Sequence, residues 1–216
     1  MRHDDAACRT ARLSYVARTL AGVIPAGPDD APPAFVRALR SLRDVQLRPE
    51  IHLEEVPGPA RIAPYTAALA AEVRANARDI EADDLASGRF VVLHDPAGQE
   101  AWDGTFRLVT LVRASLEAEV GSDPMLGEVA WSWFVDALAE SGLDPHAAGG
   151  TITRVLSQSF GALDRRPEQV DLEIRASWTA RDENLEPHLQ AWAELLCTAA
   201  GLPPLPAGVV PLPRRS

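Results

Sequence analysis

The sequence predicts an α+β domain: a mostly antiparallel sheet of about six strands covered by three main helices, in the order α-ββββ-α-ββ-α. Three observations carry this. Residues 89–117 read as a long β-hairpin, because two runs of β-branched and aromatic residues flank a stretch rich in Pro, Gly and Asp. Val170, Leu172, Ile174, Ala176 and Trp178 alternate with Asp171, Glu173, Arg175 and Ser177, the period of a half-exposed strand. Apolar residues recur at spacings of three and four in three other segments, each of which needs a shared sheet face to cover.

The elements follow in order. Residues 1–31 are expected to be a flexible extension: they carry a weak helical pattern and a PAGPDDAPP linker, without the apolar stretch of a secretory signal. The first helix is introduced by Pro32 and Pro33 and buries Phe35, Val36, Leu39 and Leu42. From Leu47 the period falls to two, giving a half-exposed strand with Pro49 near its start or on a sheet edge. A second period-two series runs from Tyr65 to Val73, where alanines make a short helix the competing reading. Residues 74–88 look like an exposed acidic turn.

The hairpin comes next. Its first arm, Phe90 to Leu93, is apolar on both faces, as in a central strand covered on both sides. Beyond it, Ser122, Asp123 and Pro124 start a helix whose wide stripe runs from Leu126 to Leu138 and ends at Ser141-Gly142. Trp131 and Val135 fall outside the narrowest stripe, which marks them as a candidate interface for a homodimer; the outer edge of the strand beginning at Leu47 is the other. Residues 151–160 form a strand that pairs with 170–178. A last helix starts near Asn184 and presents Leu185, Leu189, Trp192, Leu195 and Leu196 on one face. One domain over 32–202 is therefore expected, followed by a proline-rich tail over 203–216 that is extended or polyproline-like.

Composition narrows the function classes. A net charge of −10 disfavours nucleic acid unless arginines gather on one face, and no such cluster is visible along the chain. No apolar run is long enough to span a bilayer. Cys8 and Cys197 lie at opposite ends without a CxxC partner, which suits a reducing cytoplasm. Every basic residue other than histidine is arginine, consistent with GC-rich coding.

The chain holds no Walker loop, GxGxxG, HExxH, GxSxG or paired CxxC, so no catalytic residue is assigned and no metal or cofactor is implied. His3, His52, His94, His146 and His188 are each isolated in sequence. One constellation stands out, at the hairpin tip: His94, Asp95, Gln99, Glu100, Trp102 and Asp103. Carboxylates near a histidine could bind a divalent cation or do acid–base work if the loop folds back on itself. The simpler reading is architectural, with Asp95-Pro96 and Asp103-Gly104 as turn residues and Trp102 as a plug. The two separate on exposure: a recognition surface needs Trp102 in solvent, a plug needs it buried.

The segments HDPAGQEAWDGTFRLVT, WSWFVDAL, TRVLSQSFG, EIRASWT and GLPPLP together resemble an uncharacterised actinobacterial family, domain-of-unknown-function family 3000, over roughly residues 33–206. The resemblance implies a cytoplasmic protein of high-GC Gram-positive bacteria and carries over no catalytic residues. The best functional expectation is a non-catalytic binding or adaptor protein acting through protein–protein contacts, with no membrane or nucleic-acid partner. An enzyme or metal-binding protein using the His94 to Asp103 loop is the alternative. The order of elements also looks like that of type III secretion chaperones, by topology alone.

Overall fold

The computed structural model describes residues 31–43, 45–75, 84–121, 123–165 and 168–203. The N-terminal extension with His3 and Cys8, Ser122 of the predicted helix start, part of the acidic stretch and the tail beyond Pro203 lie outside these residues.

Helix α1 (Pro33–Ser41) leads into β1 (Ile51–Val56), β2 (Tyr65–Arg74), β3 (Asp84–Gln99) and β4 (Gly104–Leu116). A four-residue helix α2 (Ala118–Gly121), then α3 (Leu126–Glu140), β5 (Gly149–Ser157), β6 (Gln169–Ala180) and α4 (Glu186–Ala199) complete the domain. The six strands form one sheet in the order β1-β2-β3-β4-β6-β5, with every neighbouring pair antiparallel. The predicted α+β architecture is therefore present. Two boundaries differ: β3 begins at Asp84, inside the stretch expected to be a turn, and β1 begins at Ile51 rather than Leu47; β2 is the strand its period-two series predicts, despite its alanines. Alanine is tolerated there because β2 lies between two partner strands, with Ala67 and Ala71 in the helix-covered core and Ala68 in the cluster of Trp102 on the other face.

Strand alternation gives the sheet two unlike faces. One carries Leu69, Val73, Phe90, Val92, Phe106, Leu108, Val112, Leu172, Ile174 and Trp178, all buried with residues of α1, α3 and α4. Phe90 and Phe134 both contact Trp178, at ring-centroid distances of 6.2 and 5.3 Å, and Trp192 of α4 lies 5.5 Å from Phe90. Gly88 makes room for α4, since a Cβ there would lie 2.7 Å from Leu196 and 3.1 Å from Trp192. Helix α1 is latched to the loop before α4: the Arg37 guanidinium donates to both carboxylate oxygens of Glu183, and the Leu185 amide donates to Ser41 Oγ at 2.8 Å.

The other face is helix-free among the described residues. Its upper end, near the hairpin tip, holds a small second cluster of Ala68, Val91, Leu93 and Trp102. The all-apolar run Phe90 to Leu93 is thus covered on both sides, as its composition predicts, with helices on one side and a single tryptophan on the other.

Candidate functional site

The hairpin tip is tighter than the sequence suggests. Pairing continues irregularly past His94 to Gln99, opposite Gly104, so the turn proper is Glu100 to Asp103. Asp95 organises the irregular stretch: Oδ1 accepts the Ala97 amide at 3.0 Å and Oδ2 accepts Gln99 Nε2 at 3.1 Å. Gly98 at φ 73° and Asp103 at φ 51° adopt left-handed backbone, a conformation that Gly and Asp accept more readily than other residues.

These turns send the candidate residues in different directions. His94 points to the helix-covered face and is 2% exposed. Its ring stacks 4.1 Å from Phe106 and 5.9 Å from Phe35. Nδ1 donates to the Thr105 carbonyl at 3.0 Å, which leaves Nε2 as a buried lone pair with no hydrogen-bond partner among the described residues. Burial pulls the His94 pKa down, against weaker opposing effects of the Thr105 bond, Asp95 and Glu183. Trp102 turns to the opposite face, 8% exposed, and its carbonyl accepts the Thr179 hydroxyl. Glu100 stays in solvent. The tip therefore does not gather its acids around His94, and among the described residues no three His, Cys, Asp or Glu side chains converge as a metal site. Trp102 occupies the position of a plug.

The structure does bring Asp103 to a partner that the sequence left isolated. His146, in the loop between α3 and β5, meets Asp103 Oδ2 through Nε2 at 2.8 Å. Its Nδ1 faces Arg181 at 3.0 Å, and Arg181 also reaches Asp144 at 3.2 Å. The arginine can only donate, so His146 accepts through Nδ1 and turns Nε2 to the Asp103 carboxylate. Beneath this chain, Arg107 donates to the Ala147 carbonyl at 2.9 Å, Thr179 Oγ1 at 3.0 Å and Ser177 Oγ at 2.7 Å. Both His146 nitrogens and the Arg107 fork are thus taken up in tying the hairpin tip to the α3–β5 loop. This is a clasp; no nitrogen of His146 is left to activate a nucleophile. Nothing along the chain signals the contact, which depends on β4 and β6 being neighbours.

The lower end of the helix-free face differs. Strand register places Arg89, Leu111 and Arg175 side by side on β3, β4 and β6, with Ser87, Arg113 and Glu173 forming the next row. Leu111 is half-buried and the three arginines are exposed. Glu173 accepts from Arg113 at 2.7 Å and from Arg175 at 2.6 Å; the Arg113 bond is the main cause holding its carboxyl below the usual range. An open groove of about 370 Å³ crosses the foot of this face between Leu85, Ser115, Val155 and Asp171. Arginines do therefore gather on one face, although they are spread out in sequence. Acids are interleaved with them.

The interface candidates on α3 are half-buried. Trp131 lies over β5, so close that a Cβ on Gly150 would come within 2.8 Å of its ring, and Val135, one turn on, packs at the margin of the core. On the remaining chemistry, Cys197 is a buried free thiol pushed up to about 12 by desolvation, which makes it inert. No helix among the described residues is long and apolar enough to cross a membrane.

The sequence pattern of DUF3000, described as a protein of unknown function, matches residues 31–210. The chain belongs to the DUF3000 family. No curated protein and no solved structure matches it. The DUF3000 match takes in every described residue, including the tip, its clasp and both edges of the sheet.

Proposed function

We propose that this chain is a non-catalytic, cytoplasmic binding protein that holds an acidic, partly apolar segment of another protein against the lower helix-free face of its sheet. The observation that carries the reading is the row Arg89, Leu111, Arg175, in register across three adjacent strands with no helix over it among the described residues. A half-buried leucine between guanidinium groups offers apolar contact and charge pairing at once, and arginine is a favoured anchor at such surfaces. Arg89, Arg113 and Arg175 outnumber the one glutamate shared within their two rows, a local concentration of guanidinium groups in a chain whose total is −10, with Glu54, Glu72 and Asp171 at its margins. That contrast selects an acidic protein segment. The acids interleaved with the arginines disfavour a nucleic-acid backbone. The inert, buried Cys197 suits a reducing compartment.

The test uses the full-length protein as bait for its native cytoplasm. Leu111→Glu and Arg175→Glu are expected to lose a partner that wild type retains, and salt should weaken the wild-type capture. An identical set of captured proteins for wild type and both variants sinks the proposal.

A further inference from the structure

The sheet has two ends, and the chain treats them differently. At one end, β1 is six residues long, has Pro49 before it and Pro57 after it, and carries Glu54 and Glu55. Shortness, proline and charge are the usual protections of a strand edge. At the other end, β5 is nine residues long, contains no proline, and pairs with β6 continuously from Gly149↔Ser177 to Ser157↔Gln169. No described strand lies on its outer side. All of β5 but Ile152 is exposed, including Val155 at 51% and Leu156 at 52%, and Phe160 and Leu163 beyond it are exposed as well. Its one charged residue, Arg154, turns its guanidinium to the carbonyls of Gly121 and Asp123.

We infer that the outer edge of β5 pairs with β5 of a second copy of this chain, antiparallel about a two-fold axis normal to the sheet. Charge argues for this edge and this occupant. Two molecules at −10 repel, yet residues 149–163 carry a single charge of +1, already engaged within its own molecule. Two copies therefore approach here with the least like-charge opposition. The strand is also self-complementary in the way a two-fold contact requires. The axis keeps both helix layers on one side of a continuous sheet; on that side Ile152 stands opposite Arg154, whose guanidinium is turned away to Gly121 and Asp123, while Thr151 meets Val155 and Thr153 meets its own copy on the helix-free side. With the axis at Thr153, Leu156 of one copy stands opposite Gly150 of the other, the residue over which Trp131 lies. The pairing satisfies the outward backbone groups of both strands and sets the two arginine-bearing faces side by side.

Sedimentation equilibrium of the full-length chain tests this. Wild type is expected to be a dimer. Val155→Lys/Leu156→Lys should sediment as a folded monomer that still unfolds cooperatively, because both side chains are already half in solvent and only the stability that the dimer adds is lost, and Glu54→Lys/Glu55→Lys on β1 should remain a dimer. Thr153→Cys should form a disulfide-linked dimer on mild oxidation, a readout independent of the charge changes. A monomeric wild type at high concentration overturns the inference. So does a dimer that survives the β5 variant, dissociation caused equally by the β1 variant, or open-ended growth through β1–β5 contacts.

Discussion

The two faces of this sheet are each sealed by a tryptophan, and the two seals are unequal. Trp178 rises from β6 into the layer beneath α3 and α4, 1% exposed, with Phe90 and Phe134 against its ring. Trp102 arrives from the hairpin turn onto the other face, 8% exposed, over Ala68, Val91 and Leu93. Three helices continue the first seal along the sheet, whereas nothing described continues the second. The covered face therefore holds most of the buried apolar surface, and the lower half of the other face is left to arginines and half-buried aliphatics. Stability concentrated on one side leaves the opposite side able to vary its contacts, a division suited to recognition.

The sharpest way to break this comparison is Trp178→Ala. The change opens a cavity between two aromatic rings and removes the indole N–H that donates to His188 Nδ1 at 2.9 Å. A loss of about 5 kcal/mol is expected in urea unfolding, at the top of the range for large-to-small core changes. Trp102→Ala should cost about 3 kcal/mol, since its ring is nearly as buried but has one small cluster behind it. Equal losses for the two would show that the faces contribute alike. A loss near zero for Trp102→Ala would return the tip to the role of an exposed surface.

Acid should also act on the covered face. His188 is held neutral by burial, its pKa lowered to about 4 from 6.5. Above pH 6.5 both folded and unfolded chains carry this histidine uncharged, and its full contribution is present. As the pH falls the unfolded chain takes up a proton that the folded chain refuses, so stability drops until about pH 4 and then levels off. The difference amounts to about 3 kcal/mol at the acid end. His94, also lowered by burial, adds loss of the same sign. Urea midpoints measured from pH 7 to pH 4 should fall in wild type and fall less in His188→Gln. A flat profile would mean that neither ring is held neutral.

How much of this was legible in the sequence depended on how local the cause was. The alternation from Val170 to Trp178 names its own buried face, and the doubly apolar Phe90 to Leu93 gives a central strand covered on both sides. Alanine-rich β2 is ambiguous because alanine favours helix while its neighbours impose a strand. Helix α2, four residues long, is too short to show a period. The sequence groups the tip residues as one loop, whereas β3 runs on through Gln99 and the turn proper is Glu100 to Asp103; which way each side chain points depends on left-handed backbone at Gly98 and Asp103. The Asp103–His146 clasp joins residues far apart in the chain, and the arginine row exists only once the registers of three strands are set. Long-range pairing also decides which strand is left at the edge: β5 and β6 read as two arms of one hairpin, yet among the described residues only β6 has a second partner.

The smallest expected effect tests whether the lower helix-free face is truly spare. Leu111 lies in register between Arg89 and Arg175, half-buried, with no described helix over it. Replacing it with glutamate removes a modest apolar contact, and it also places a carboxylate between two guanidinium groups in adjacent strands, where an opposite charge contributes a few tenths of a kcal/mol. The two effects oppose each other. Leu111→Glu should therefore unfold within about 0.5 kcal/mol of wild type, the range of an ordinary surface change. The same substitution at Leu108, its neighbour on the covered face at 0% exposure, would bury an unpaired charge and should prevent folding. A loss at Leu111 as large as that of Trp102→Ala would mean that this half of the face is packed in solution, and the surface assigned to a partner would then be occupied by the chain itself.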